Sequence, residues 1–234
     1  MIERMLCNFD PVQIARSGQC FRFEEMEGGA VRLTALGRRL TVRPAGAGRF
    51  AFSCGAQEFG ALWRGYFDLE TDYAAIGARI PENDAFLTAA YRCGEGLRIL
   101  RQDAWEALAS FIVSQNNNIP RIRASVQALS ERFGERREDG EGAYFCFPAA
   151  KALAGAEEDA LRACGLGYRA AYLLEVSRRA ADGRLDLGAM SALNDEALRA
   201  ALCALPGVGP KVAQCAMLFG FHRLAAFPVD TWIR

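Results

Sequence analysis

Apolar and polar residues alternate in short runs through about the first 80 positions of the chain. Phe21-Arg22-Phe23, Val31-Arg32-Leu33-Thr34, Arg39-Leu40-Thr41-Val42 and Arg49-Phe50-Ala51-Phe52 repeat with the period that places alternate side chains on opposite faces of a strand. Gly28-Gly29, Gly37 and Pro44-Ala45-Gly46-Ala47-Gly48 separate these runs with turn chemistry, so the pattern predicts antiparallel hairpins. From Asn83 onward the period lengthens. Asn83 or Asp84 is placed to cap a helix running through Tyr91, and Trp105, Leu108, Phe111, Ile112 and Gln115 recur at helical spacing. That run stops at Asn116-Asn117-Asn118. Pro120 opens the next helix, which carries Ile122, Val126, Leu129 and Phe133 and ends at Gly134. Further helices are predicted over 157–163, 168–182 and 194–204, and a short one from Lys211 to Phe219. The expected fold is α+β: a twisted antiparallel β-sheet domain over residues 1–82, packed on a mostly helical domain over 83–234 with a helical hairpin at about 198–220. The chain stops at Trp232-Ile233-Arg234, so the helical domain is expected to be truncated at its C-terminus.

Composition narrows the class. The 234 residues are 51% apolar and 24% charged, ordinary for a globular protein. No apolar run approaches the roughly 18 residues of a membrane helix, and Met1-Ile2-Glu3-Arg4-Met5 lacks the apolar core of a signal peptide. The eight cysteines are scattered with no C-x-x-C pair, which argues against a zinc site or a disulfide framework and for a reducing compartment. Net charge is zero, which counts against nucleic acid as a partner. The charge is unevenly placed, however. Arg32, Arg38, Arg39, Arg43 and Arg49 fall in a stretch with no acid, while acids gather at Glu135, Glu138, Asp139 and Glu141. A local positive face with modest steering fits this distribution.

Lysine is nearly absent: of 28 basic residues only Lys151 and Lys211 are not arginine. In so Arg-biased a chain a retained lysine points to a need for an amine. An amine can lose its proton and attack carbon; a guanidinium cannot. Lys211 lies in Leu205-Pro206-Gly207-Val208-Gly209-Pro210-Lys211, the turn of the predicted hairpin, with Cys215 one helical turn further along the same face. Glycines at such a turn let a phosphate approach backbone N–H groups at a helix N-terminus, which gives sequence-independent binding without many basic side chains. Taken alone, the turn also reads as an ordinary Gly/Pro loop between helices, and Asp230, after Pro228-Val229, reads as a helix N-cap.

Together, Leu205–Lys211 and Pro228-Val229-Asp230 resemble the helix-hairpin-helix base-excision glycosylases. Ser17-Gly18-Gln19-Cys20-Phe21-Arg22-Phe23, Ser110 through Arg121 with its Asn triplet, and Gly165-Leu166-Gly167-Tyr168-Arg169-Ala170 narrow the resemblance to the 8-oxoguanine DNA glycosylases, in the same order along nearly the whole chain. The resemblance implies a role for each matching residue. Lys211 is the catalytic lysine, attacking the sugar C1′ to displace the base and form a Schiff base that permits β-elimination, and Asp230 stabilises positive charge on the sugar. Gly18 offers its carbonyl to the N7–H that only oxidised guanine carries, and Cys215 lines the base pocket. Asn116 fills the gap left by the flipped nucleotide, whose extrusion costs a few kcal/mol. Arg121, Tyr168 and Arg169 contact the orphaned cytosine and its neighbours. Gly207, Gly209 and Val212 bind DNA through the hairpin.

The implied partner is double-stranded DNA containing oxidised guanine, bound by a monomer with no membrane contact, no metal and no organic cofactor. The expected location is a bacterial cytoplasm, beside the nucleoid, or a nucleus if the chain is eukaryotic. Three features depart from the family: Trp232 stands where eukaryotic members carry His, Gln214 stands where an acid is common, and the helices expected after Asp230 are missing. Two alternatives remain at this stage: a superfamily glycosylase with another base specificity, and an inactive hairpin module that only binds DNA. A module gives no reason to pair Lys211 with Asp230.

Overall fold

A computed structural model describes residues 1–229, which divide into two compact units. The first unit comprises Met1–Leu33 and Arg39–Arg101, and the second comprises Thr34–Arg38 and everything from Gln102 onward. The Ala85–Cys93 helix belongs with the first unit.

Five strands form one antiparallel sheet, all of it in the first unit except Thr34–Arg38, the tip of its β3–β4 hairpin: β1 (Ile2–Met5), β2 (Phe23–Glu25), β3 (Val31–Ala35), β4 (Arg38–Pro44) and β5 (Arg49–Phe52), in the order β1-β5-β4-β3-β2. The period-two pattern of β3 does what it predicts. Val31, Leu33 and Ala35 are buried while Arg32 and Thr34 lie between them half-exposed. Phe23 pairs with Leu33 and Val42 with Phe52, so apolar residues meet across neighbouring strands on the buried face. The β3–β4 turn is the two-residue Leu36-Gly37, with φ of 52° and 70°, a turn whose two left-handed residues match the twist of a hairpin. Beneath the sheet, Phe9, Phe52, Phe59, Trp63 and Phe67 form an aromatic core with edge-on contacts, Phe52–Phe59 at 4.9 Å and Phe9–Phe67 at 5.3 Å. β1 is not predicted by the sequence pattern; it pairs Ile2 with Phe52 and closes the sheet edge.

A buried polar joint holds the rest of this unit. Arg98, 6% exposed, donates to the carbonyls of Asn8 (2.9 Å), Asp68 (2.7 Å), Thr71 (3.3 Å) and Cys7 (3.2 Å). Its guanidinium lies 4.6 Å from the Tyr73 ring centre. Burial lowers the affinity of Arg98 for its proton; Tyr73, Asp68 and Asp72 act the other way.

The second unit is mostly helical. The Ala104–Ser114 helix, capped by Asp103 through the Glu106 N–H, is buried over almost its whole length and forms the core. The Pro210–Phe219 helix runs against it. Gly220 brings the two close, since a Cβ there would stand 3.1 Å from Ala107 Cβ, and Phe111 stacks on Phe219 at 5.5 Å. The Ile119–Phe133 and Arg169–Ala181 helices present Ile122, Val126, Leu129, Leu173 and Val176 inward. A small antiparallel hairpin, β6 (Arg136–Asp139) and β7 (Gly142–Phe145), occupies the acidic stretch in which the sequence pattern shows no strand. Arg137 of β6 donates to the Gly37 carbonyl at 2.7 Å.

Candidate DNA-binding and catalytic site

The predicted hairpin forms within the second unit. Asn194 caps the Asp195–Cys203 helix by accepting from the Ala197 N–H at 2.9 Å. Leu205 and Val208 are buried and anchor the turn, while Gly207 adopts φ 73°, a conformation open to glycine at little cost. Gly209 is the N-cap of the Pro210–Phe219 helix, and no side chain caps it. A helix beginning this way offers its first-turn amides and dipole to an acceptor from outside, such as a phosphate oxygen. The Val212 side chain is buried, so any contact it makes to DNA comes from its backbone. Lys211 is the second residue of this helix and half-buried; Cys215 follows one turn later with 3% exposure. Asp230 lies outside the described residues, as do Trp232 and the rest of the C-terminal segment.

A second cluster surrounds the Asn triplet. The Ala104–Ser114 helix ends at Gln115, and Asn116 turns back with φ 44° and is exposed. Asn118 caps the next helix through the Arg121 N–H at 3.0 Å. A left-handed residue between two helices exposes carbonyls that the first helix cannot satisfy. Arg169 satisfies them. Its Nε donates to the Gln115 carbonyl at 2.7 Å, its Nη2 to the carbonyls of Gln115 and of Asn116 (2.8 Å for the latter), and its Nη1 to that of Leu166 at 3.3 Å. A cation at a helix C-terminus is also favoured by the helix dipole. Arg169 is 7% exposed, and its guanidinium lies 4.6 Å from the ring centre of Tyr168, which is 47% exposed. Arg121 is exposed on the first turn of its helix. The structure therefore gathers Asn116, Tyr168 and Arg169 into one cluster. It turns Arg169 inward, onto carbonyls, rather than outward.

Gly18 belongs to the first unit. It follows Ser17, which ends the Pro11–Arg16 helix, and has φ 76°. Gln19 fixes the turn: it is 2% exposed, donates to Ser17 Oγ (3.0 Å) and the Arg98 carbonyl (2.9 Å), and accepts from the Leu100 N–H (2.8 Å).

Sequence reasoning missed Tyr172. Its ring packs against Gly207 and meets Tyr168 edge-on, and the only signal for it is the one-turn spacing from Tyr168. Among the described residues no group of three or more His, Cys, Asp or Glu side chains is placed to hold a metal ion. No helix there is long and apolar enough to cross a membrane.

Comparison with known proteins matches both halves of the chain. The family described as 8-oxoguanine DNA glycosylase, N-terminal domain, matches residues 2–108, and that described as HhH-GPD superfamily base excision DNA repair protein matches residues 109–234. The probable N-glycosylase/DNA lyase of Methanothermobacter thermautotrophicus is 32% identical over 188 residues, covering 72% of this chain and 58% of its own length. The N-glycosylase/DNA lyase of Saccharomyces cerevisiae is 38% identical over 166 residues, covering 66% and 43%. The chain thus spans about half the length of the curated relatives it matches. Among solved structures, the apo-form of Clostridium acetobutylicum 8-oxoguanine glycosylase/lyase superposes with TM-score 0.93 at 38% identity, covering 98% of this chain and 80% of that one. The same Clostridium protein in complex with double-stranded DNA containing cytosine opposite 8-oxoG gives TM-score 0.92 at 37% identity, covering 97% and 78%.

Proposed function

Since the chain belongs to the HhH-GPD superfamily of base-excision DNA repair proteins, we propose that it removes 8-oxoguanine from duplex DNA and then cleaves the abasic strand. The observation that carries this reading is the hairpin. It holds Lys211, one of two lysines in the chain, half-buried on the first turn of an uncapped helix, one turn before buried Cys215. The division drawn from the sequence assigns base reading, through the Gly18 carbonyl, to the β-rich domain of residues 1–82, and the chemistry to residues 83–234.

In this reading the hairpin amides around Gly207, Gly209 and Val212 grip the strand. Asn116 enters the gap left by the flipped nucleotide, with Tyr168 and Arg121 beside it. Neutral Lys211 Nζ attacks C1′ and the C1′–N9 bond breaks, the base leaving with its electron pair and taking up a proton. Asp230 stabilises the positive charge that develops on the sugar. The amine adduct loses a proton and opens the sugar ring to an imine. Loss of a C2′ proton then expels the 3′ phosphate by β-elimination, and water hydrolyses the imine to return the lysine. A lysine nucleophile works only while neutral. The partner is duplex DNA carrying oxidised guanine, engaged by a monomer in a bacterial cytoplasm or a nucleus.

Borohydride trapping on a duplex with 8-oxoguanine opposite cytosine tests this. The wild-type protein should form a covalent adduct, Lys211→Gln should form none while still binding the duplex, and Lys151→Gln should trap normally. Trapping that survives in Lys211→Gln and disappears in Lys151→Gln overturns the assignment. Trapping of wild type only on duplexes with other damaged bases replaces the substrate and keeps the nucleophile.

A further inference from the structure

Tyr172 touches both clusters of the second unit. On one side its ring lies against the hairpin turn: a Cβ built on Gly207 would fall 2.5 Å from Tyr172 Cδ2, 2.7 Å from Cγ and 2.9 Å from Cβ, so turn and side chain are in close contact. On the other side its ring meets that of Tyr168 edge-on, with centroids 6.0 Å apart and planes at 80°. Tyr168 lies beside the Arg169 guanidinium, and Arg169 holds the carbonyls of Gln115 and Asn116. Contacts therefore run without a gap from Gly207 through Tyr172, Tyr168 and Arg169 to Asn116.

We infer that Tyr172 is a positioning residue that fixes the offset between the hairpin turn and the Asn116 turn, an inference that rests on the function proposed above. The hairpin grips backbone through amides and is indifferent to sequence, whereas a wedge must enter the stack at one step. A rigid spacer between the two makes the grip deliver the wedge to that step. An aromatic ring suits this task because it fills the space with only two rotatable bonds and packs as densely as a protein interior. Its removal leaves the amide donors of the hairpin in place, so gripping survives, but the wedge is no longer held in register. Misplacement of a reacting geometry by about 1 Å costs on the order of a hundredfold in rate.

The test compares wild type, Tyr172→Leu and Tyr172→Phe, each first shown to be folded by its thermal transition; Tyr172→Met replaces the leucine variant should that fail to fold. Three quantities are read: the single-turnover excision rate on 8-oxoguanine opposite cytosine, the Kd for undamaged duplex, and the fluorescence of a 2-aminopurine placed beside the lesion in the same duplex, which brightens when the stack opens. Tyr172→Leu should slow excision by about tenfold to a hundredfold and lose most of the fluorescence rise. Its Kd for undamaged duplex should stay within about threefold, a free-energy change below the worth of one phosphate contact. Tyr172→Phe should restore both losses, because the contacts to Gly207 and Tyr168 are made by the ring and Cβ. Wild-type excision by Tyr172→Leu, a parallel loss of undamaged-duplex binding, or failure of phenylalanine to rescue would each overturn the inference. If wild type excises nothing from any damaged duplex, the functional reading fails; fluorescence and binding on a duplex with an abasic site still decide whether Tyr172 positions the wedge.

Discussion

Two arginines, one in each unit, are buried to nearly the same depth. Arg98 is 6% exposed and Arg169 is 7% exposed. Both direct their donors at backbone carbonyls, and both lie 4.6 Å from a tyrosine ring centre. They differ in what lies on the far side of the carbonyls. Around Arg98 those carbonyls come from Cys7, Asn8, Asp68 and Thr71, and Tyr73 is tied at its hydroxyl, which donates to Asp68 Oδ2 at 3.1 Å and accepts from the Ile99 N–H at 2.9 Å. Every group there is committed inward. Around Arg169 two of the three carbonyls, those of Gln115 and Asn116, belong to a turn whose Asn116 side chain is exposed, and Tyr168 is 47% exposed. The same device holds a unit together in one place and presents a shaped surface in the other.

The largest effect that would sharpen this contrast is on stability. Arg98→Met should remove the partner of four carbonyls at once, and a buried polar group left unsatisfied costs about 1–3 kcal/mol. A loss of at least about 3 kcal/mol is expected, read as a lower urea midpoint, with excision per folded molecule little changed. Arg169→Leu should show the reverse emphasis. Two of its three carbonyl partners, Gln115 and Asn116, lie at the edge of an exposed turn where water can replace the guanidinium, so the stability loss should be about 1 kcal/mol. The single-turnover excision rate should nonetheless fall by tenfold or more, on the order of 1.4 kcal/mol in the barrier. Arg169→Lys should recover little, since one ammonium cannot reproduce the forked donation to Gln115, Asn116 and Leu166. Equal stability losses in the two variants, or an Arg169→Leu protein with wild-type excision, would break the comparison.

The same contrast marks what the sequence could and could not disclose. Local chemistry was legible: the alternation of Val31, Leu33 and Ala35, a cap at Asn83 or Asp84 that falls at Asp84, the helix with Pro120 in its first turn, and the hairpin turn with Lys211 behind it. The sequence pattern places β2 at Phe21–Phe23, but it forms at Phe23–Glu25, because Cys20 and Phe21 are buried beside the Gln19 tie and the ladder with Val31–Leu33 begins only at Phe23. β6 and β7 were hidden because Arg136–Asp139 is charged throughout and Gly142–Phe145 carries no alternation of apolar and polar residues. Arg98 gives no signal at all, since its partners at Cys7 and Asn8 lie some 90 positions away and are carbonyls, which every residue has. Arg169 is the instructive case. The resemblance assigns it to the orphaned cytosine, and in the structure its guanidinium donates to the carbonyls of the turn that carries Asn116. Tyr172 escaped because its contact partner is a glycine, which has no side chain to suggest a packing site.

The smallest effect concerns Tyr73 and reads the inward commitment of the first unit by pH. Burial, with a smaller contribution from the Asp68 carboxylate, pushes the Tyr73 phenol up to about 12, although its bond from the Ile99 N–H acts the other way. An ordinary phenol ionises near 10. Between those values the unfolded chain loses the proton while the folded chain keeps it, so stability falls as pH rises. The stabilisation is fully present below about 10 and is lost as pH climbs through about 12. Tyr73→Phe cannot ionise and also lacks the bonds to Asp68 and Ile99, so it should be less stable than wild type by about 1 kcal/mol at neutral pH. That gap should hold to about pH 10 and shrink above it. Cys54, whose thiol burial pushes up to about 11, adds a decline of the same sign that starts lower, but it is common to both proteins and cancels in the difference. Urea midpoints of the two proteins between about pH 8 and pH 11.5 decide the matter, the window being set by the ordinary and folded phenol values. A gap that stays constant across that range would show that the folded protein does not hold the Tyr73 proton, and that the ring beside Arg98 is no more enclosed than the ring beside Arg169.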